Sequence, residues 1–269
     1  MAAVNIQFPT IAFLSDFGNR ENYAGIVKGV IRGINPKAEV IDLTHLVPAC
    51  NIAAGKYLLE TAYRDFPPGT IFLAVVDPGV GTARKGILVE IDRCFFIGPD
   101  NGLFSFLTKK EIRGIYHLNN KKYFLGTVSS TFHGRDIFAP VAGYLSLGVL
   151  PSEVGRKISG MISLSGLSNK RQGTKFIGGV IYIDHFGNII TSFKVREFNP
   201  GGSEIYLGNI RIGKVKETFG SVRRGEPVAY INSSGYLEIA VREGSAARYF
   251  DINYDSGIKI LIAPIGAGR

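Results

Sequence analysis

The chain has 269 residues, 45% of them apolar and 20% charged, which is an ordinary globular composition with core enough for one large domain or two smaller ones. Two cysteines, Cys50 and Cys94, exclude a disulfide framework and a cysteine-rich metal site and point to a reducing compartment. The net charge of +9 is spread over single residues and short doublets (Lys109-Lys110, Lys121-Lys122, Arg223-Arg224) without aromatic interleaving, so it reads as a solvated basic surface and not as a nucleic-acid site.

Residues 11–15 form a short apolar run that ends at Asp16, with Phe17-Gly18 as a turn. Between residues 22 and 34 the apolar positions Ala24, Val27, Val30, Ile31 and Ile34 recur at helical spacing, and Asn35-Pro36 closes the helix. A second strand is expected over 38–43, with Asp42, Thr44 and His45 at its end. Asn51 is placed to cap a second helix running to about Phe66, where Pro67-Pro68-Gly69 stops it. The apolar run 70–76 then breaks on Asp77, and a loop containing Pro78, Gly79 and Gly81 leads to Arg84 and a further apolar run, 86–91. Strand–helix–strand–helix–strand with short links specifies a parallel sheet with right-handed crossovers. In such sheets ligands sit outside the carboxyl ends of the strands, where Asp16 and Asp77 both fall; Asp42 is either there or a loop cap.

Beyond Gly86 the pattern changes. Runs 86–91 and 94–97 flank Asp92-Arg93 as a hairpin, and Gly98-Pro99-Asp100-Asn101-Gly102 is a tight turn. A strand over 114–118 follows, then Thr131 to Asp136 ahead of a helix from about 137 to 147, which sets His133 at a helix entry. From 151 to 174 no period is sustained and the segment reads as a connection. The rest alternates with frequent turns (176–183, 189–193, 203–207, 209–215, 228–231, 237–241, 257–262), the pattern of a small barrel or sandwich. The fold expected is α/β: an N-terminal α/β domain with a mostly parallel sheet over 1–160, a linker over 161–174 and a C-terminal all-β barrel domain over 175–269. No apolar run is long enough to span a membrane and the N-terminus lacks a signal-peptide pattern, so a cytoplasmic protein with no membrane or nucleic-acid partner is expected.

Asp77 and Arg84 face each other across their loop at the rim of a core. They are either a structural ion pair or, with His133, a catalytic trio. Asp16 is either a ligand-binding carboxylate or a loop cap, and the turns Asp184-His185-Phe186-Gly187-Asn188 and Asn232-Ser233-Ser234-Gly235 are either plain hairpin turns or parts of a site. Gly79-Val80-Gly81 is followed by a strand and is no dinucleotide or phosphate loop, and the four histidines lack zinc-ligand spacing, so no metal is expected.

Ser15-Asp16-Phe17-Gly18, Asp77-Pro78-Gly79-Val80-Gly81, Gly98-Pro99-Asp100-Asn101-Gly102, Phe132-His133-Gly134-Arg135-Asp136, Asp184-His185-Phe186-Gly187-Asn188 and Asn232-Ser233-Ser234-Gly235-Tyr236 resemble, in order and spacing, the S-adenosylmethionine hydroxide adenosyltransferases, relatives of the bacterial fluorinase and chlorinase. The resemblance runs through nearly the whole chain. It implies hydrolysis of S-adenosyl-L-methionine to adenosine and L-methionine, with no cofactor. It also implies a homotrimer whose active site lies between the N-terminal domain of one subunit and the C-terminal domain of the next. Asp77, Arg84 and His133 match the family's water-activating trio, and Asp16 matches the carboxylate that holds the ribose hydroxyls. Phe186, Asn188 and Phe219 would belong to the adenine pocket, and Glu21, Asp184 and Ser233 would face the methionine head group. Fluorinase has a tyrosine at the position of Asp77, a threonine at Val80, a serine at Gly134 and an inserted loop absent here, which favours water over halide. Cys50, Tyr23 and Ser234 also differ from fluorinase residues lining the substrate. A halide adenosyltransferase and a non-catalytic adenosine- or S-adenosylmethionine-binding protein remain the alternatives.

Overall fold

In the computed structural model, which describes residues 9–164, 169–254 and 256–265, the chain divides into two units, Met1–Leu164 and Ser165–Arg269. The first begins with β1 (Ile11–Ser15), α1 (Tyr23–Ile34), β2 (Val40–Thr44), α2 (Ile52–Ala62) and β3 (Ile71–Val75), then runs through β4 (Gly86–Ile91), β5 (Phe95–Pro99), β6 (Ile112–Leu118), α3 (Ala139–Ser146), a single turn α4 (Pro151–Val154) and β7 (Gly155–Lys157). These strands form one sheet in the order β2-β1-β3-β5-β4-β6-β7. The pairings β2–β1, β1–β3 and β3–β5 are parallel, and those from β5 to β7 are antiparallel. The expected α/β sheet is therefore mixed: its parallel half comes from the crossover helices and its antiparallel half from the hairpin at Asp92-Arg93, where Ile91 N–H donates to the Cys94 carbonyl at 3.0 Å.

Strands β1 and β3 are buried along their whole length because helices cover both faces of the sheet. Ile11, Phe13, Ile71, Leu73 and Val75 pack with Val27 and Ile31 of α1 and Val141, Ala142 and Leu145 of α3. On the opposite face Phe72 stacks on Phe96 at 5.0 Å, and α2 comes in close at Gly55, where a Cβ would lie 3.0 Å from both Val76 and Leu103.

Helix α2 stops at Ala62 and tightens into a 3₁₀ turn, Tyr63–Asp65, short of the expected Phe66, which is extended because a proline follows it. The helix expected from residue 137 starts earlier, as a π-helical turn over Gly134–Phe138 that leads into α3. The stretch after Pro151 is not simply connecting chain: β7 joins the sheet beside β6, and a three-residue strand is too short to leave a period in the sequence.

In the second unit β9 (Lys175–Ile183), β10 (Ile189–Lys194), β11 (Ser203–Leu207), β12 (Ile210–Lys216), β13 (Pro227–Ile231), β14 (Tyr236–Val241) and β15 (Lys259–Pro264) pair in the order β10-β14-β13-β12-β11-β15-β9, and β10 pairs with β9 again to close the expected barrel; β8 (Lys170–Gln172) is appended to β9. Ile189, Phe193, Ile205, Leu207, Leu237, Ile239, Ile260 and Ile262 fill its interior. Of the linker expected over 161–174, residues 165–168 lie outside the described residues, and Lys170–Gln172 is strand. One helical turn, α5 (Ala246–Tyr249), interrupts the all-β pattern, capped by the Ser245 hydroxyl, which accepts from Arg248 N–H at 3.2 Å.

Candidate active site

Strands β1 and β3 run parallel with Ser15 opposite Val75, so the residues just beyond each strand leave the sheet at the same rim. Asp16 N–H donates to the Val75 carbonyl at 3.4 Å, and the Asp16 carboxylate accepts from Cys50 N–H at 2.8 Å. Burial and the neighbouring charge of Asp77 raise the Asp16 pKa above the ordinary carboxylate value, against the opposing pull of the Cys50 N–H.

Two residues past β3, Asp77 opens a compact turn. Val80 N–H donates to the Asp77 carbonyl at 3.2 Å, and the Thr82 hydroxyl donates to the Gly79 carbonyl at 2.7 Å. The turn brings the chain back so that Arg84 Nε donates to Asp77 Oδ1 at 2.8 Å while Arg84 Nη2 donates to Asp77 Oδ2. The same Nη2 lies 2.8 Å from His133 Nδ1. A guanidinium only donates, so Nδ1 is the acceptor and the neutral ring carries its proton on Nε2. Burial and the Arg84 charge lower the His133 pKa below the ordinary imidazole value, outweighing Asp77, Asp136 and the Ser129 backbone, which act the other way. The guanidinium plane sits 5.3 Å from the Phe138 ring, so one side chain ties together the carboxylate, the imidazole and the apolar floor.

His133 is delivered by the π-helical turn and the loop before it. Asp136, with no exposed surface, accepts from Ser129 N–H at 2.8 Å, and the Ser129 hydroxyl accepts from Phe132 N–H at 3.0 Å. Burial works against the Asp136 charge, but Arg135 and Ser129 hold its pKa below the usual carboxylate value. The two loops of the site meet at Gly81, whose φ is +78° and where a Cβ would stand 2.4 Å from the Ser130 carbonyl oxygen. Phe17, Tyr23 and Phe132 form an edge-to-face wall beside them, with Phe17–Phe132 at 5.7 Å and Tyr23–Phe132 at 5.4 Å. Gly134 faces this wall: a Cβ there would lie 3.2 Å from Phe17 and 3.4 Å from Val75.

Asp16, Asp77, Arg84 and His133 thus share one rim of the first unit, and Glu21 is exposed on the segment that enters α1. In the second unit Asp184 and Asn188 close the β9–β10 turn: Asp184 Oδ1 accepts from Asn188 N–H at 2.8 Å and Oδ2 from its side-chain amide at 3.0 Å. Phe186 at the tip of that turn is 74% exposed and Phe219, in a 3₁₀ turn against Tyr230, is 60% exposed. Ser233 is exposed in the β13–β14 turn. Ile189 lies opposite Ile239 and Lys194 opposite Tyr236, so the turns holding Asp184 and Ser233 sit at opposite ends of β14.

Comparison with known proteins matches each of the two units to a domain of one family. The SAM hydroxide adenosyltransferase N-terminal domain matches residues 11–155, and the C-terminal domain of the same family matches residues 178–259. The chain belongs to the SAM hydroxide adenosyltransferase family. It is 37% identical to the (R)-S-adenosyl-L-methionine hydrolase of Thermus thermophilus over 93% of this chain and 99% of that one. It is 25% identical to a fluorinase of an Actinoplanes species over 94% of this chain and 97% of the relative. A crystal structure of an uncharacterized conserved protein from Thermotoga maritima superposes with a TM-score of 0.84 at 36% identity, covering 94% of this chain and all of that one.

Three supports of this candidate site were not read as such from the sequence. Asn101 donates to the Val76 carbonyl at 2.8 Å and so fixes the peptide that precedes Asp77; its place in the Gly98–Gly102 turn was the available signal. Ser129 carries the loop ahead of His133 and lies outside any motif. The Cys50 contact to Asp16 is made by backbone, which no residue type announces.

Proposed function

We propose that the chain hydrolyses S-adenosyl-L-methionine, with water attacking C5′ in line with the departing sulfur, to give adenosine and L-methionine. The observation that carries this reading is the Arg84 guanidinium bridging Asp77 and His133 beside Asp16, in a chain 37% identical to a hydrolase of that name. As the water oxygen bonds to C5′ the C5′–S bond breaks, and sulfur takes the electron pair and leaves as a neutral thioether that needs no proton donor. One water proton must go elsewhere. Water has a pKa of about 15.7 and an ordinary Asp about 3.9, so simple deprotonation by Asp77 before attack is excluded, and in this reading proton loss accompanies bonding to carbon.

Asp77 is the acceptor in this reading. His133 Nδ1 is committed to Arg84 and its proton sits on Nε2, whereas each Asp77 oxygen keeps a lone pair after its Arg84 bond. Arg84 holds both groups in place and His133 holds Arg84. Asp16 grips the ribose diol, fixing C5′ against the water. Phe186, Asn188 and Phe219 receive the adenine and Glu21 and Ser233 the methionine head group, while Asp184, at the other end of β14 from Ser233, braces the adenine turn through Asn188. The cationic substrate suits a carboxylate-rich site in a protein of net charge +9, since the local field opposes the global one. A homotrimer completes the site, the exposed rings of Phe186 and Phe219 being covered by substrate and by the adjoining subunit.

The test is a chromatogram of the purified protein incubated with S-adenosyl-L-methionine in ¹⁸O-labelled water. Adenosine carrying the label at its 5′-hydroxyl, with equimolar methionine, is expected. A 5′-halo-adenosine formed in halide buffer would instead establish the halide reaction, and tight binding without any product would establish a non-catalytic binder.

A further inference from the structure

The stretch that closes β2 places a second set of polar groups behind the site. His45 is 5% exposed, and its Nδ1 lies 2.8 Å from the hydroxyl of Ser15, which has no exposed surface. Its Nε2 lies 3.1 Å from Asp42 Oδ1, close but out of line for a hydrogen bond, and Lys28 Nζ donates to the other Asp42 oxygen at 2.6 Å. A carboxylate facing Nε2 keeps the ring proton there, which leaves Nδ1 to accept from the Ser15 hydroxyl. The Ser15 oxygen in turn accepts from Phe17 N–H at 3.4 Å, and the Phe13 ring stands edge-on to the imidazole at 4.6 Å. Serine, histidine and aspartate are neighbours here, but a serine sealed from solvent is no nucleophile.

What the set does follows from where its bonds end. The exit of β1 and the segment from His45 to Cys50 are laced together by four contacts: Ser15 Oγ to His45 Nδ1 at 2.8 Å, Gly18 N–H to the His45 carbonyl at 2.7 Å, Val47 N–H to the Ser15 carbonyl at 3.4 Å, and Cys50 N–H to Asp16 Oδ2 at 2.8 Å. His45 makes two of them, one through its side chain and one through its backbone, on either side of Asp16 in the chain. The last holds the Asp16 carboxylate directly.

We propose that His45, oriented by Asp42 and bonded to Ser15, is the positioning residue that sets the Asp16 carboxylate for the vicinal hydroxyls of a ribose. The proposal rests on the reading of Asp16 given under Proposed function. Loss of the Ser15–His45 bond removes one of the four ties between the β1 exit and the 45–50 segment, and the carboxylate is then set less closely against the two hydroxyls.

The experiment is calorimetric binding of adenosine and 2′-deoxyadenosine to the full-length protein and to its Ser15→Ala, His45→Gln and His45→Asn variants, each checked for folding by thermal melting. Wild type is expected to favour adenosine about tenfold, the weight of one hydrogen bond to a carboxylate. In Ser15→Ala and His45→Gln that preference is expected to fall to within about twofold, whereas His45→Asn, whose amide oxygen takes the place of Nδ1, retains most of it. General loosening of the fold lowers both affinities and leaves their ratio alone. A tenfold preference that survives in both Ser15→Ala and His45→Gln overturns the positioning role and leaves Asp16 as diol holder. No preference in the wild-type protein overturns the diol reading itself, and the role of His45 with it.

Discussion

Asp77 and Arg84 keep only 6% and 8% of their side chains exposed, so each neutralises a charge that the core edge would not otherwise tolerate. Removing either partner outright strands the other, at a cost of about 3–5 kcal/mol, and confounds folding with catalysis. Asp77→Asn keeps one acceptor for Arg84 but sets its amide N–H against the other Arg84 donor and leaves the guanidinium unneutralised, so a lower Tm is expected as well. At temperatures where the variant stays folded, kcat is expected to fall about 10³-fold while calorimetric affinity for S-adenosyl-L-methionine stays within about threefold. A turnover unchanged from wild type removes Asp77 from the chemistry. His133 sets an acid limit. Its folded pKa is below the unfolded value, so its contribution is complete above the ordinary imidazole range and is lost as pH falls through the depressed folded value; protonation puts a donor at Nδ1 against the Arg84 donor. The kcat–pH profile is therefore expected to stay flat down through pH ~6.5 and to break below it. Asp16 runs the other way. Its folded pKa is raised, chiefly by burial and then by Asp77, so the penalty for ionising it is absent below the unfolded value and is complete once pH passes the folded one. Asp16→Asn is expected to raise Tm at pH 7 while weakening adenosine binding at least ~10-fold, the signature of a site that trades stability for recognition. A lower Tm with unchanged binding would make Asp16 a loop cap.

Two loops must meet for these side chains to converge, and they meet where there is no room for a Cβ. At Gly81 an alanine methyl would stand 2.4 Å from the Ser130 carbonyl oxygen, on a backbone with φ of +78°. Gly81→Ala is expected to push the Arg84 loop away from the His133 loop, with kcat reduced at least ~10-fold and Tm lowered by several degrees; steady-state kinetics beside a melting curve check both. Unaltered kcat would mean that the loops need not touch. The sequence carries one side of this element and not the other. Asp77 ending an apolar run, Arg84 preceding the next and a glycine turn between them are enough to place two charges face to face, because strand ends and turn residues are local properties. His133 at a helix entry was legible in the same way. The closeness of Gly81 to Ser130 was not, since it depends on how far two loops of unrelated register protrude. The π-helical turn was not either: nothing in Gly134–Phe138 distinguishes a widened turn from an ordinary one before the neighbouring packing is known. The short strands β7 and β8 lie below the length at which periodicity speaks.

At the scale of the whole molecule, the residues proposed for the site divide between two units. Asp16, Asp77, Arg84 and His133 lie in Met1–Leu164, and Asp184, Phe186, Asn188, Phe219 and Ser233 lie in Ser165–Arg269. If neighbouring subunits of a ring each supply one half of every site, two inactive variants damaged in opposite halves rescue one another. Asp77→Asn leaves the second unit intact, and Phe186→Ala combined with Phe219→Ala leaves the first intact. In rings formed from an equal mixture, a given site draws its first half from an undamaged chain half the time and its second half likewise, so about a quarter of wild-type activity returns. Sites built within single chains return none at any ratio, and a monomer returns none either. Mixing the two variants under conditions that exchange subunits, measuring adenosine release and weighing the product by light scattering therefore decides assembly and site sharing together. Recovery near a quarter in a species three times the chain mass is the expected result, whereas zero recovery in fully exchanged rings would place each site within one chain.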